Sequence, residues 1–130
     1  MALVGVLETG VYVDDLAAAE SFYVDVLGLE LDSREPGRHV FLRCGGSMVL
    51  LFDPTATSRK TGEVPTHGAA GPGHLALSVD DLDAWPGRLR AAAVDIEADI
   101  EWPQGGRSIY VRDPAGNSVE LTTPRIWQTP

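Results

Sequence analysis

Cysteine is almost absent from this chain of 130 residues: Cys44 stands alone, and with one thiol no intramolecular disulfide framework can exist. Basic residues are scarce too, 10 Lys and Arg against 19 Asp and Glu, for a net charge of −9 with no basic cluster to offset it. Such a surface repels phosphate backbones and anionic headgroups, which excludes nucleic acid and membrane as expected partners. Long apolar runs are missing as well; nothing approaches the roughly 20 residues that span a bilayer. The N-terminus lacks the basic start and apolar run of a signal peptide, so the expected compartment is the cytoplasm. Cys44 itself lies in a Cys-Gly-Gly turn with no basic group beside it to lower its pKa, and is read as a turn residue.

What the chain has is a hydrophobic fraction of 44%, enough for a packed core, with 14 glycines and 9 prolines placed mostly in turns. It also contains itself twice. Glu8-Thr9-Gly10-Val11-Tyr12-Val13-Asp14-Asp15-Leu16 aligns without gaps on His74-Leu75-Ala76-Leu77-Ser78-Val79-Asp80-Asp81-Leu82. Further on, Phe41-Leu42-Arg43 matches Tyr110-Val111-Arg112, and Met48-Val49-Leu50-Leu51 matches Ser118-Val119-Glu120-Leu121. Glu8 is thus equivalent to His74, and Leu50 to Glu120. Units of this size are too small to bury a face alone, which argues for one composite domain over residues 1–130: module one at 1–53, a linker at 54–72 and module two at 73–124.

Each module reads as β-α-β-β-β. In the first, Leu7 to Val13 is a strand, and Asp14-Asp15 supplies N-cap chemistry for a helix with apolar residues at Leu16, Ala19, Phe22, Tyr23, Val26 and Leu27, stopped by Gly28. A strand begins at Leu29-Glu30-Leu31, and Val40 to Arg43 and Met48 to Phe52 form a hairpin. The second module repeats this: a strand from Leu75 to Val79, a helix from Asp81 to about Ala93 with Pro86 in its first turn, strand material from Ile96 to Glu101, then strands at Ser108 to Arg112 and Ser118 to Thr122. Asp53 to Gly73 shows no periodicity and reads as a linker or a lid.

Strand alternation assigns faces. Leu75, Leu77 and Val79 should pack on helices, leaving His74, Ala76 and Ser78 on the concave side. Ser108, Tyr110, Ser118, Glu120 and Thr122 join them by the same parity. In module one the concave positions are Glu8, Gly10, Tyr12, His39, Phe41, Met48, Leu50 and Phe52. One half of the cavity is polar and the other apolar and aromatic; the second half is the expected substrate wall. His67 is assigned to loop surface or pocket lining.

These residues carry a resemblance. The repeated unit, with Val13-Asp14-Asp15-Leu16, Phe22-Tyr23, Val26-Leu27-Gly28-Leu29, Gly73-His74 and Asp113-Pro114-Ala115-Gly116-Asn117-Ser118-Val119-Glu120-Leu121, resembles the vicinal oxygen chelate superfamily over almost the whole chain. That group includes glyoxalases, extradiol dioxygenases, fosfomycin-resistance enzymes and bleomycin-binding proteins. The resemblance implies an α+β fold of two βαβββ modules, a curved, barrel-like mixed sheet with a concave metal and ligand cleft. It also implies one divalent ion held from the first and last strands of each module, positions that are Glu8, His74, Leu50 and Glu120 here. Leu50 cannot bind an ion, and Glu8 departs from the commoner histidine.

One imidazole and two carboxylates leave about three octahedral positions open, and as a hard donor set they favour Fe, Mn, Ni or Mg over closed tetrahedral Zn. The resemblance implies a metal-dependent enzyme acting on a small oxygen-chelating substrate, either a glyoxalase-like lyase or isomerase or an extradiol-type dioxygenase, with Glu8 or Glu120 as base. Tyr110 matches a substrate-contacting tyrosine of the fosfomycin-resistance group, and Arg107 could anchor a substrate carboxylate. The alternative is a metal-free protein of the bleomycin-resistance type that sequesters an aromatic ligand. Either way the resemblance implies a homodimer, with Glu8 of one chain meeting His74 and Glu120 of the other in a shared site.

Overall fold

The computed structural model describes residues 1–127 and divides at the linker into two units, residues 1–71 and residues from 72 onward. Each carries a four-stranded mixed sheet, and the two sheets repeat one topology. In the first unit the order is β1-β4-β3-β2, from β1 (Glu8–Tyr12), β2 (Glu30–Glu35), β3 (His39–Cys44) and β4 (Ser47–Phe52). In the second it is β5-β8-β7-β6, from β5 (His74–Ser78), β6 (Ala98–Glu101), β7 (Arg107–Arg112) and β8 (Ser118–Thr122). Only the first and last strands of each unit pair in parallel. Both sheets are open, so the α+β repeat stands without a closed barrel.

The register gives the sequence repeat a physical meaning. In the first unit Gly10 faces Leu50 across β1 and β4, and in the second Ala76 faces Glu120 across β5 and β8. Leu50 and Glu120 therefore occupy one position in two copies of the same ladder.

Helix α1 (Leu16–Ser21) begins where Asp15 accepts a hydrogen bond from the Ala18 N–H at 3.0 Å, satisfying a donor that the helix start leaves open. It widens into a π turn at Phe22–Val26, where Leu27 N–H reaches back to the Phe22 carbonyl. That departure from 3.6-residue periodicity accompanies the burial of Phe22, Tyr23 and Leu27 together. Gly28, at φ 85°, ends the segment. The helix packs on β3 and β4, over Val40, Leu42, Val49 and Leu51.

After β4 the chain is not a bare tether. Asp53 caps a one-turn helix, α2 (Pro54–Thr57), with Thr57 almost fully buried. In the second unit the helix expected from Asp81 starts as a 3-10 turn at Leu82–Ala84 and becomes α3 at Trp85–Ala91, with Pro86 in its first turn where no N–H is needed. Its buried face, Leu82 and Leu89, joins Leu75, Ile109, Val111, Val119 and Leu121. Among the described residues no helix is long and apolar enough to cross a membrane. Cys44 ends β3, and burial pushes its thiol up, away from the reactive thiolate.

Candidate functional site

The concave-parity residues of the second unit converge on Glu120. Its carboxylate is buried at 7% side-chain exposure, while His74 is 51% exposed, and the His74 Nε2 lies 3.3 Å from Oε1. On the other side of the imidazole, Nδ1 sits 3.2 Å from the Ser118 carbonyl. Nδ1 also lies 3.3 Å from the Ser118 hydroxyl, which can donate to it, so the ring can carry its proton on Nε2, toward Glu120, or on Nδ1, toward the Ser118 carbonyl. In the second tautomer Nε2 and Oε1 both present lone pairs, two donor atoms side by side that a cation can bridge.

The second carboxylate oxygen is held as firmly. Ser108 O–H donates to Oε2 at 2.6 Å, and Trp102 Nε1–H donates to the Ser108 oxygen at 2.8 Å. The serine has one proton, and the charged acceptor at 2.6 Å takes it. Its 3.1 Å approach to Thr122 is then a contact between oxygens, since the Thr122 hydroxyl donates to the Arg107 carbonyl at 2.8 Å. Tyr110 faces Glu120 across β7 and β8 and stacks near His74 with ring centroids 6.2 Å apart. Burial, then the Glu120 charge and a hydrogen bond to it, hold the Tyr110 phenol above its ordinary range. Tyr110 therefore stays a donor.

The loop before β8 locks this arrangement to the start of β5. Asp113 accepts from the Ala115 and Asn117 N–H groups and from the Asn117 amide, and Asn117 Oδ1 accepts the Gly73 N–H at 2.7 Å. The Ser118 N–H returns to the Gly73 carbonyl. The Asp-Pro-Ala-Gly-Asn run thus fixes the backbone one residue before His74, and Ser118 fixes the ring.

The other expected site residues fall elsewhere. Glu8 is exposed at the head of β1, in the first unit. Among the described residues no group of three His, Cys, Asp or Glu side chains comes together as a metal site. Arg107 is engaged: its guanidinium grips both Asp99 carboxylate oxygens at 2.8 and 2.7 Å and reaches Asp83 at 2.9 Å. Those contacts occupy the N–H groups that a substrate carboxylate would need. Leu50 and Phe52 are buried, while Phe41, Met48 and His39 are half-buried.

His39 stacks on Phe41 at 3.8 Å between centroids and also lines a cleft of about 460 Å³ with Leu16, Ala17, Arg34 and Pro36. Burial holds its pKa below the ordinary 6.5, against the Glu35 carboxylate that raises it and with Arg38 lowering it further. A histidine whose folded pKa is depressed contributes stability that is present above the unfolded value and lost as pH falls through it. Thermal unfolding should therefore show Tm falling between about pH 7 and about pH 5 with a steeper slope in the parent protein than in His39→Phe.

Three contributors were not singled out from the sequence. Ser108 was placed on the right face without a role, and Trp102 and Asn117 act only through neighbours. The parity of Ser108 with Glu120 was the available signal.

Comparison with known proteins places this geometry. The sequence model described as the Glyoxalase/Bleomycin resistance protein/Dioxygenase superfamily matches residues 5–121. The chain belongs to that superfamily. Among solved structures it resembles a lactoylglutathione lyase from Agrobacterium tumefaciens, at 44% identity over 99% of this chain and 100% of that one, with a TM-score of 0.95. It also resembles TnmS3, an antibiotic-binding protein from Streptomyces sp. CB03234, at 29% identity over 95% of this chain and 98% of that one, with a TM-score of 0.74. TioX from Micromonospora sp. ML1 is similar at 26% identity over 92% and 98%, with a TM-score of 0.74. No curated protein matches the sequence. The superfamily hosts lyases and binders on one fold, so the chemistry of the site has to decide between them.

Proposed function

We propose that this protein is a divalent-metal-dependent enzyme of the superfamily, acting on a small substrate that presents two adjacent oxygens, with lyase or isomerase chemistry favoured over ring-cleaving oxygenation. The observation that carries the reading is the His74–Glu120 pair: an imidazole held at Nδ1 by Ser118, with its Nε2 3.3 Å from a buried carboxylate oxygen, two donor atoms side by side. Outer-sphere hydrogen bonds of this kind orient ligands at metal centres. The donor set fits an ion in this respect, with His74 and Glu120 supplying two ligands and Glu8 the third. In a homodimer, Glu8 of one protomer would meet His74 and Glu120 of its partner. Fe, Mn, Ni or Mg suits this set better than Zn. When bound, the ion would polarise the substrate oxygens as a Lewis acid.

The remaining work belongs to the chain's own groups. Ser108 and Trp102 keep Glu120 from rotating, and Tyr110 can donate a hydrogen bond to a substrate oxygen next to His74. Glu120 or Glu8 is the carboxylate able to take a proton from carbon and return it. Lyase chemistry is favoured by the likeness to the Agrobacterium enzyme; the single histidine stands against the oxygenase layout.

The Ser108→Ala variant should retain its fold and lose about 10- to 100-fold in metal affinity, the usual consequence of removing an outer-sphere partner, measured by titration with Ni²⁺ or Mn²⁺. The proposal as a whole is tested by assaying metal-reconstituted protein for thioester formation from a 2-oxoaldehyde and a thiol, and for ring opening of a catechol. Turnover in the first assay supports the lyase reading, turnover in the second replaces it with an oxygenase, and neither with any of the four ions sinks the enzyme.

A second reading, a metal-free binder of aromatic ligands, is favoured by one observation. The concave-parity face of the first unit is lined with rings, and the antibiotic-binding TnmS3 shares the fold.

A further inference from the structure

The linker, which reads from sequence as a tether or a lid, delivers a histidine to the aromatic face of the first unit. After α2 the His67 N–H bonds to the buried Thr57 carbonyl at 3.1 Å, pinning the strap back on its own start. The His67 ring then meets Tyr12, whose hydroxyl lies 2.6 Å from Nδ1, and packs edge-on to Phe52 at 4.7 Å. Tyr12, Phe52 and His39 are cross-strand neighbours on β1, β4 and β3, and Phe41 lies 5.8 Å from Phe52. Five rings from three strands and the strap thus share one side of the sheet.

The chemistry of this cluster is specific. The Tyr12 hydroxyl and His67 Nδ1 share a hydrogen bond of 2.6 Å, and with the phenol as donor the imidazole proton lies on Nε2. Among the described residues that N–H has no hydrogen-bond partner, although the ring is half-buried. Phe52 is buried beneath the cluster, while Tyr12, Phe41 and His39 stay part-exposed, with Phe41 and His39 stacked on each other, so the ring edges and outer faces suit a flat conjugated group. A donor left open beside such a surface suits an acceptor oxygen carried on that group.

We propose that His67 is a specificity-determining residue: with Tyr12 fixing its tautomer, it donates Nε2–H to a carbonyl or carboxylate oxygen on a planar, conjugated part of the ligand, which lies against the part-exposed Tyr12, Phe41 and His39 rings over the buried Phe52. The proposal rests on the small-molecule reading above but not on the metal, and it assigns to the ligand an aromatic or conjugated group that the His74–Glu120 pair does not demand. Truncating such a donor costs affinity only for ligands that use it; a ligand without the oxygen covers the N–H unpaired in the parent and loses nothing when it is removed.

The test uses metal-free full-length protein and two isosteric probes, 2-acetylnaphthalene and 2-isopropenylnaphthalene, in which the ketone oxygen is replaced by a methylene group. Affinities are read by fluorescence and the binding place by NMR of the histidine and aromatic side chains. The parent should prefer the ketone, with shifts at His67, Tyr12 and Phe52. His67→Phe keeps the ring and removes the donor; it should weaken the ketone at least about 10-fold while the hydrocarbon binds as well as before or more tightly. His67→Gln, which restores an N–H, should recover part of the loss, and Tyr12→Phe should lose the single Nε2–H tautomer in the nitrogen spectrum. Equal weakening of both probes would make His67 a packing residue, and no preference in the parent, or shifts elsewhere, would overturn the site. Failure of the metal reading would leave the probe preference intact, so the two ideas fail separately. If His67→Phe does not fold, the glutamine variant and the tautomer of the parent still decide.

Discussion

Glu120→Gln is expected to remove metal retention altogether and to slow turnover by about 100- to 1,000-fold or more, the range seen when a preorganised charge-stabilising group is lost. The variant is a sharp one because it should fold. The amide oxygen can still accept the Ser108 hydroxyl that now donates at 2.6 Å, and the amide N–H can donate to the His74 Nε2 that now faces a carboxylate at 3.3 Å. Both contacts are thereby kept while the negative charge is removed. Melting of the metal-free variant should match the parent within a few degrees, while titration shows no ion taken up. Full activity with a neutral side chain at this position would mean that Glu120 is a structural acid.

The second large effect is on stability. Asp113→Ala should destabilise the fold by about 3 kcal/mol, lowering Tm by roughly 10 °C, since it strands buried donors rather than deleting one net hydrogen bond. Asp113 is 4% exposed and Asn117 3% exposed. Without the carboxylate, the Ala115 and Asn117 N–H groups and the Asn117 amide lose their acceptor. Asn117 would then be free to leave the Gly73 N–H, and the backbone before His74 with it. Metal affinity should therefore fall together with stability, measured by denaturation and titration on one preparation. A stability loss with unchanged affinity would show that the loop holds the sheet but not the ligand.

Much of this was legible because the chain is a repeat. Two copies of one alternating pattern gave each strand an internal check, so that the pairing of Leu50 with Glu120 emerged before any coordinates and reappears in the Gly10–Leu50 and Ala76–Glu120 registers. The Asp15 cap and the Gly28 stop were readable because each uses a local property of one residue type. The π turn at Phe22–Val26 was not, since it answers to packing on the sheet and leaves no mark on the apolar pattern. The segment after β4 reads as a linker or a lid, and its Thr57–His67 contact was not legible because it is a single hydrogen bond without periodicity. Arg107 reads from sequence as a solvated turn residue or an anchor for a carboxylate, and its pairs with Asp99 and Asp83 were not legible because those acids come from other elements. Ser108 and Trp102 matter through what they hold, and a sequence does not display that.

The structure brings His74 and Glu120 side by side in the second unit, while Glu8, the third ligand the resemblance implies, stands at the head of β1 in the first. The central claim is therefore tested most directly by elemental analysis of protein purified without added metal or chelator, beside its Glu8→Ala variant. The account predicts close to one equivalent of iron, manganese, nickel or magnesium per chain in the parent, lost in the variant. No bound metal in the parent, and none taken up on titration with any of these ions, would contradict it and leave the aromatic-ligand binder as the better description.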